Sequence, residues 1–357
     1  MSESTMGPRN QGAPDYNLHL HPMMAKNYGK WDHHERLKPG VIRYTAESGD
    51  NLYVVRAGSP RTMSPATVHK ICDIADRFCD GFVRFTIRCN VEFSTDKAEN
   101  IEPIIKAVKE ELGFPIGGTG NSVSNIAHTQ GWLHCNLPAT DASGAVKALM
   151  DDLIDEFEKE EMPNRVHIST SCCQINCGSH ADISIIVQHH HAPRIDHKNM
   201  MICELPKVVA ICPAAAIRPK MMNGATSVEV VEEKCMYCGA CHGQCPSMEI
   251  RDADTDTLSI WVGGKASSTR GGPSQMKLAV WGIPNNPPRW PEASDAVRKI
   301  LAAYKEGGKP WERVGEWIER IGWAKFFEKT GFPFTRYHIE DGPDALTTFN
   351  RSSHVRL

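Results

Sequence analysis

The loop from Ser169 to His180, STSCCQINCGSH, holds Cys172, Cys173 and Cys177 too close together for each to reach its own disulfide partner without severe backbone strain. Thiols at that density are ligands. Adjacent cysteines followed by a C-x3-C spacing, Cys173 to Cys177, suit a cubane iron-sulfur cluster, in which thiolates approach separate irons from one loop. A fourth thiolate has to come from another segment. Cys135 in GWLHCN is assigned to it, because a long helix leads from there back to the loop.

A second cysteine region runs from Cys212-Pro213 through Cys235, Cys238, Cys241 and Cys245-Pro246. The run CMYCGACHGQCP has the C-x2-C-x2-C-x3-C-P spacing of bacterial ferredoxins. Zinc is the alternative for paired cysteines, but structural zinc usually takes two separated pairs, and successive short gaps fit a cubane better. In two-cluster ferredoxins the cysteine before proline ligates the other cluster. One cubane is therefore expected on Cys212, Cys235, Cys238 and Cys241, with Cys245 a relic or a packing residue.

Thirteen cysteines in 357 residues cannot all pair within the chain, and disulfide frameworks belong to small exported domains. The scattered Cys72, Cys79 and Cys203 lie on apolar helical faces and are expected as free, buried thiols. A hydrophobic content of 41% and a net charge of -3 describe an ordinary globular chain, long enough for two or three domains. No basic stripe points to nucleic acid. No run approaches the roughly 20 apolar residues that span a bilayer, which argues against direct membrane insertion. The opening MSESTMGPRNQGAPD lacks the apolar core of a secretory signal, so a cytoplasmic location is expected.

The elements that must position these cysteines are legible as periodicities. Residues 1–40, rich in Pro, Gly, Asn and His, read as an arm without regular structure. A strand follows at Asn51–Ala57, and Ser64-Pro65 caps a helix whose buried stripe is Val68, Ile71, Cys72, Ala75, Phe78 and Cys79. Phe82 to Phe93 alternates as one half-buried strand, with Arg84, Thr86, Arg88, Asn90 and Glu92 on its polar face. Arg84 and Arg88 would stand about 13 Å apart along it. Such a face is either a solvated sheet edge or a binding surface for an extended anion with several carboxylates. A helix with Ile101, Ile104, Ile105 and Val108 inward completes a mixed α/β pattern. Gly117, Gly118 and Gly120 serve a turn more readily than a phosphate.

After Cys135, residues 142–161 read as one amphipathic helix, and Asn164–Ser171 as a strand with Arg165, His167 and Ser169 on one face. A further strand, with Ile183, Ile185 and Val187, leaves the cysteine loop and ends at His189, His190 and His191, which are expected in solvent. Near the end of the chain, a helix beginning at Pro310-Trp311 carries Val314, Trp317, Ile318 and Ile321, with Trp323, Phe326 and Phe327 close behind. So many aromatics suggest a subunit interface, the alternative being that they cap the chain's own core.

Beyond the arm, the motifs RFTIRCNVEF, PIGGTG, HTQGWLHC, STSCCQINCG, the inserted ferredoxin run, WVGGK and IPNNPPRWP resemble those of dissimilatory sulfite reductase beta subunits, in the siroheme and iron-sulfur sulfite/nitrite reductase family. The resemblance implies an α+β, mixed α/β fold of ferredoxin-like sulfite reductase halves with an inserted 4Fe-4S ferredoxin domain. The expected divisions are the arm (1–40), a ferredoxin-like half (41–123), a siroheme and cluster-binding domain (124–204), the ferredoxin insertion (205–255) and a C-terminal completion of the core with a helical interface segment (256–357). It also implies siroheme and two 4Fe-4S clusters, one on Cys135, Cys172, Cys173 and Cys177, the other on the ferredoxin cysteines. Cys177 would be the axial thiolate to siroheme iron. Arg56, Arg84, Thr86 and Arg88 would meet the siroheme carboxylates, and Arg165 and His167 would join Cys177 at the substrate.

The implied activity is six-electron interconversion of sulfite and sulfide, in either direction. The implied partners are an alpha subunit in an α2β2 assembly and a small sulfur-carrier protein with a C-terminal cysteine. Two departures stand out. The first C-x5-C pair of the wider family is missing, since Asp141 stands where its second cysteine would be, and the family's Lys-x-Lys reads Arg165-x-His167. Two other readings remain: an electron-transferring iron-sulfur subunit without substrate chemistry, and an assimilatory-type sulfite or nitrite reductase, against which the inserted ferredoxin run counts.

Overall fold

The computed structural model describes residues 15–177, 181–267 and 272–339. The start of the expected arm, Gly178 to His180 of the cysteine loop, and the expected C-terminal segment after residue 339 lie outside the described residues. The chain divides into two compact units, 1–118 and 119–357.

In the first unit a short helix, α1 (Pro22–Lys26), precedes β1 (Trp31–Lys38). That strand opens an antiparallel sheet in the order β1, β2 (Val41–Ala46), β3 (Asn51–Gly58), β5 (Asn90–Thr95), β4 (Val83–Phe85). The expected arm therefore contains an edge strand. Its sequence, WDHHERLK, is exposed along most of its length, so no burial periodicity announces it. Helix α2 (Pro65–Phe78) starts where expected, with Ser64 Oγ accepting from the Thr67 N–H at 3.2 Å and Pro65 in the first turn. Its buried face is Ile71, Ile74 and Ala75, with Cys79 buried just beyond it, whereas Val68 and Cys72 face outward. With α3 (Ile101–Ala107), it packs onto Val55, Ala57, Val91 and Phe93 of the sheet.

The continuous strand expected over Phe82–Phe93 is a hairpin. Thr86 to Cys89 reverse the chain: Cys89 N–H donates to Thr86 O at 3.0 Å, Asn90 N–H to Thr86 Oγ1 at 3.1 Å, and Cys89 takes φ +57°. The register pairs Val83 with Phe93, Arg84 with Glu92 and Phe85 with Val91. Odd residues share one face on both strands, so the two-residue period passes through the turn and conceals it. Arg84 and Arg88 consequently do not lie on one strand.

The second unit is built on a sheet ordered β14 (Lys277–Pro284), β13 (Thr257–Val262), β8 (Ile183–Gln188), β7 (Ile168–Ser171), β6 (Ala127–His128). Strands β6, β7 and β8 run parallel, and β13 and β14 are antiparallel to their neighbours. The helix expected over 142–161 breaks at Leu153 into α4 (Ala142–Asp152) and α5 (Ile154–Glu158). Residues of α4, α8 (Pro291–Gly307), α9 (Val314–Ile321) and α10 (Trp323–Thr330) join the inward residues of β7, β8, β13 and β14 in one hydrophobic core.

The C-terminal aromatics correct the interface expectation. Val314, Trp317, Ile318 and Phe326 are fully buried, and Trp323 and Phe327 nearly so, within this chain's own core. Trp317 sits between Tyr304 and Phe326, with ring centroids 5.7 Å and 6.0 Å away. Each ring finds its partners inside the chain.

The insertion has its own small core around Met200, Val208, Ile217, Val228 and Met248. It comprises α6 (Leu205–Ala210), the hairpin β10 (Ile217–Met222) and β11 (Ala225–Val230), α7 (Ala240–Gln244), and β12 (Met248–Glu249), which pairs with β9 (Arg194–Ile195). Cys203 and Cys245 are joined in a disulfide, with Cα atoms 5.5 Å apart. Cys203 is therefore not a free helical thiol, and Cys245 is a cross-link rather than a mere packing residue.

Replacing Trp317 by Ala should empty the centre of the aromatic cluster and cost about 3–5 kcal/mol. A denaturant-unfolding midpoint equal to that of wild type would contradict the packing described.

Candidate metal centre

Parallel pairing brings the first cysteine group together. Strands β6 and β7 release their following segments at the same edge of the sheet. From β6 the chain turns through Gly131, whose φ is +56° and where an added Cβ would lie 2.7 Å from the Ala142 nitrogen, and so reaches Cys135. From β7 it enters Cys172 and Cys173. Thr129 Oγ1 accepts from the Cys172 N–H at 2.9 Å, and Cys172 O from the Ala139 N–H at 2.8 Å, which lock the two loops together. Cys135, Cys172 and Cys173 share an apolar pocket with Leu137 and Ala142. Cys177 is exposed, within electrostatic range of Cys135.

The thiol of Cys173 and the hydroxyl of Thr129 hydrogen-bond to Cys172 and hold its pKa down at about 5. Cys173 itself is pushed up, first by that bond and then by burial. Burial also raises Cys135, against the Leu137 N–H that donates to its sulfur at 3.4 Å.

The ferredoxin-type cysteines line one small cavity that opens to solvent. Cys212, Cys235, Cys238 and Cys241 all face it, within a wall that includes Pro193, Ile217, Val230 and Ile250. Burial pushes Cys235 up to about 11 and Cys241 up to about 12, and raises Cys238. One backbone device recurs across both groups. The amide two residues on points at the sulfur of Cys135 (from Leu137), Cys173 (Ile175), Cys235 (Tyr237) and Cys238 (Ala240). Cys212 Sγ accepts from the Ala216 N–H at 3.2 Å. These donors favour the thiolate that iron requires. Among the described residues, no three His, Cys, Asp or Glu side chains converge on a single ion. A cubane asks for something else, one thiolate for each iron, and two groups of cysteines in apolar pockets with preset N–H donors fit that demand.

In the first unit, Arg56 on β3 and Arg84 on β4 flank Glu92 on the strand between them. Arg56 Nη2 and Arg84 Nε lie 2.6 Å and 2.8 Å from its two oxygens, and the Glu92 side chain is 4% exposed. Arg56 Nη1 also donates to Gly118 O at 2.9 Å. The sequence shows Glu92 on the polar face but not its role as a clamp for two guanidinium groups. Thr86 and Arg88 stand in the adjoining turn, where Thr86 Oγ1 is already the acceptor that closes it.

A family model described as the nitrite and sulphite reductase 4Fe-4S domain matches residues 119–336, and one described as the nitrite/sulfite reductase ferredoxin-like half domain matches residues 44–111. The dissimilatory-type sulfite reductase subunit beta of Archaeoglobus fulgidus is 48% identical over 339 residues, which cover 92% of each chain. The chain belongs to the dissimilatory-type sulfite reductase beta subunits. The beta subunit of Nitratidesulfovibrio vulgaris is 44% identical over 354 residues, covering 94% of this chain and 92% of that one. The alpha subunit of Allochromatium vinosum is 21% identical over 324 residues, covering 87% of this chain and 75% of that one. The crystal structure of dissimilatory sulfite reductase I superposes with a TM-score of 0.79 at 20% identity, over 88% of this chain and 79% of that one, and shows the same fold.

In this beta subunit, Arg165 is exposed just before β7, and the His167 N–H donates to Asp182 Oδ2 at 2.8 Å. Asp182 is fully buried and accepts two bonds from Arg313, at 3.0 Å and 2.6 Å, so His167 is tied to the start of α9. Of the three histidines after β8, expected in solvent, His189 is buried and His190 and His191 are half-buried. His189 Nδ1 lies 3.0 Å from Asp256 Oδ1 with both side chains buried, His190 Nε2 is 2.6 Å from the Thr257 hydroxyl, and His191 Nδ1 is 2.7 Å from the Ala192 carbonyl. No described helix is long and apolar enough to cross a membrane.

Without metal, the buried thiols of the insertion stay protonated after an unfolded chain has ionised its own. Their stabilising effect is whole below the ordinary thiol value of 9.0 and is lost as pH climbs toward about 11. The thermal midpoint of metal-free protein should fall across that window, and Cys235→Ser should flatten the fall. An equal slope in wild type and variant would contradict the burial argument.

Proposed function

We propose that this chain works as the beta subunit of a sulfite reductase that interconverts sulfite and sulfide, holding siroheme coupled to a cubane cluster. One observation carries the reading: Cys135, Cys172 and Cys173 gather in one apolar pocket with Cys177 exposed beside them, in a chain 48% identical over nearly its whole length to a dissimilatory-type beta subunit. When bound, the coupled pair supplies the six-electron, six-proton chemistry between sulfite and sulfide.

This chain's residues take the following parts in that reading. Cys135, Cys172, Cys173 and Cys177 would hold the cluster, and the soft sulfur of Cys177 would also suit the haem iron. Arg56 and Arg84 bind siroheme carboxylates, with Glu92 fixing their planes. Two cations on one carboxylate leave positive charge for an anionic cofactor. Arg88 adds a third cation, and Thr86 a hydroxyl whose hydrogen remains available for donation. Arg165 and His167 are this chain's contributions toward the oxygens of sulfite, and the lysines that it lacks come from a second chain.

Similarity to alpha subunits indicates an alpha/beta complex. We take its stoichiometry as α2β2, its further partner as a small sulfur-carrier protein with a C-terminal cysteine, and its location as the cytoplasm. Cys212, Cys235, Cys238 and Cys241 would hold a second cubane, which would supply an entry point for external electrons and favours this reading over an assimilatory-type enzyme. The residues serve either direction of flux.

Co-expressed with its alpha partner, the chain should show siroheme absorption bands and reduce sulfite, and alone it should not turn over. Cys177→Ser should alter the haem spectrum and lower sulfite reduction by more than roughly a hundredfold, beyond the loss of an outer-shell partner. Cys238→Ala should remove the iron and sulfide of one cubane, slow electron entry and leave siroheme in place. An unchanged haem spectrum with full activity in Cys177→Ser would overturn the axial assignment, and unchanged iron in Cys238→Ala would overturn the second cluster.

A further inference from the structure

The two cysteine groups are joined by one side chain. His242 follows Cys241 on α7 and is 7% exposed. Its Nε2 donates to the carbonyl of Asn136, 3.2 Å away, and Asn136 follows Cys135. Its Nδ1 lies 3.0 Å from the Met248 carbonyl and 3.9 Å from a Glu249 carboxylate oxygen. The ring is thus pinned from the side of the insertion and reaches across to the other cysteine loop.

Packing repeats the connection. A Cβ on Gly243 would come 3.2 Å from Leu137 Cδ1, and Leu137 belongs to the apolar pocket of Cys135, Cys172 and Cys173. Helix α7 therefore lies directly on the wall of the first cysteine group, with no intervening layer. Between the thiol of Cys241 and the thiol of Cys135 the route is covalent apart from one hydrogen bond, the one made by His242.

We propose that His242 is the bridge through which electrons pass from the ferredoxin-type cluster to the cluster on Cys135, Cys172, Cys173 and Cys177. The inference rests on both cluster assignments made above. Each transfer moves one electron from the reduced cluster to the oxidised one. No bond is made or broken, and the protonation of the ring does not change. His242 is a positioning residue: it ligates nothing, and it fixes the contact that couples the two sites.

The test uses the holo alpha/beta complex with His242→Leu, His242→Asn and His242→Gln. Iron and sulfide content and the midpoint potentials of both clusters are measured first, by analysis and by EPR-monitored titration. Freeze-quench EPR then follows the lag between the appearance of the reduced ferredoxin-type signal and the loss of the oxidised siroheme signal after mixing with a viologen radical. Leu has no donor and Asn is too short to reach, so both should keep their clusters and potentials while the transfer rate falls about tenfold, the lower end for loss of an outer-shell partner. Gln, which keeps an N–H at nearly the same reach, should recover part of the rate. Intact clusters with a wild-type rate in all three variants would overturn the bridge. If Leu loses its cluster, the comparison of Asn with Gln decides, and equal rates in those two overturn the bridge as well. Wild-type complex whose iron content does not change on Cys238→Ala would instead sink the second cluster, and the route with it.

Discussion

Three parallel strands govern the arrangement of the chemistry. Parallel neighbours release their next segments at a common edge, and β6, β7 and β8 use that edge for the Cys135 loop, the Cys172–Cys177 loop and the segment leading to the insertion. The pairing is secured by burial, with Ile168, Ile183, Ile185 and Val187 all fully enclosed beneath α4 and α8 to α10. A slip of one residue in β7 would turn Ile168 outward and carry Cys172 away from Thr129. The stability of the core and the geometry of the thiols are thus one property, although they concern different residues.

Burial sets a conflict that the backbone resolves. An apolar pocket disfavours thiolate, as the raised Cys135, Cys235, Cys238 and Cys241 record, yet iron binds only the thiolate. Amide hydrogens aimed at sulfur reduce that penalty without admitting water, and they belong to the loop itself, so they are in place before metal arrives. Glu92 meets a related demand with opposite sign. It is a buried anion that holds two guanidinium groups in fixed planes and leaves their combined charge in excess.

Local spacing made the cysteine groups and the Ser64 cap legible, because both are facts about neighbours in sequence. The structure gathers Cys172 and Cys173 with Cys135, sets Cys212, Cys235, Cys238 and Cys241 around one cavity, and caps α2 at Ser64. What escaped depends on contacts distant in sequence or on parity. The β4–β5 turn is hidden because its register keeps odd residues on one face. Strand β1 is hidden because an exposed edge has no periodicity of burial. The Cys203–Cys245 cross-link joins residues 42 apart, and His242 meets Asn136 from 106 residues away, so no window on the sequence contains either pair. The C-terminal aromatics misled for another reason: composition cannot say whether apolar surface is covered by the same chain or by a partner.

Cys135 is the residue on which the account turns, since it is the one proposed ligand of the first cluster that comes from the segment after β6 rather than from the loop after β7. Mössbauer spectra of iron-57-enriched alpha/beta complex, wild type against Cys135→Ala, test it most directly. The account predicts that the variant loses the subspectrum of the cubane magnetically coupled to siroheme while the uncoupled cubane signal stays as it was. A coupled subspectrum of full intensity in Cys135→Ala would contradict it.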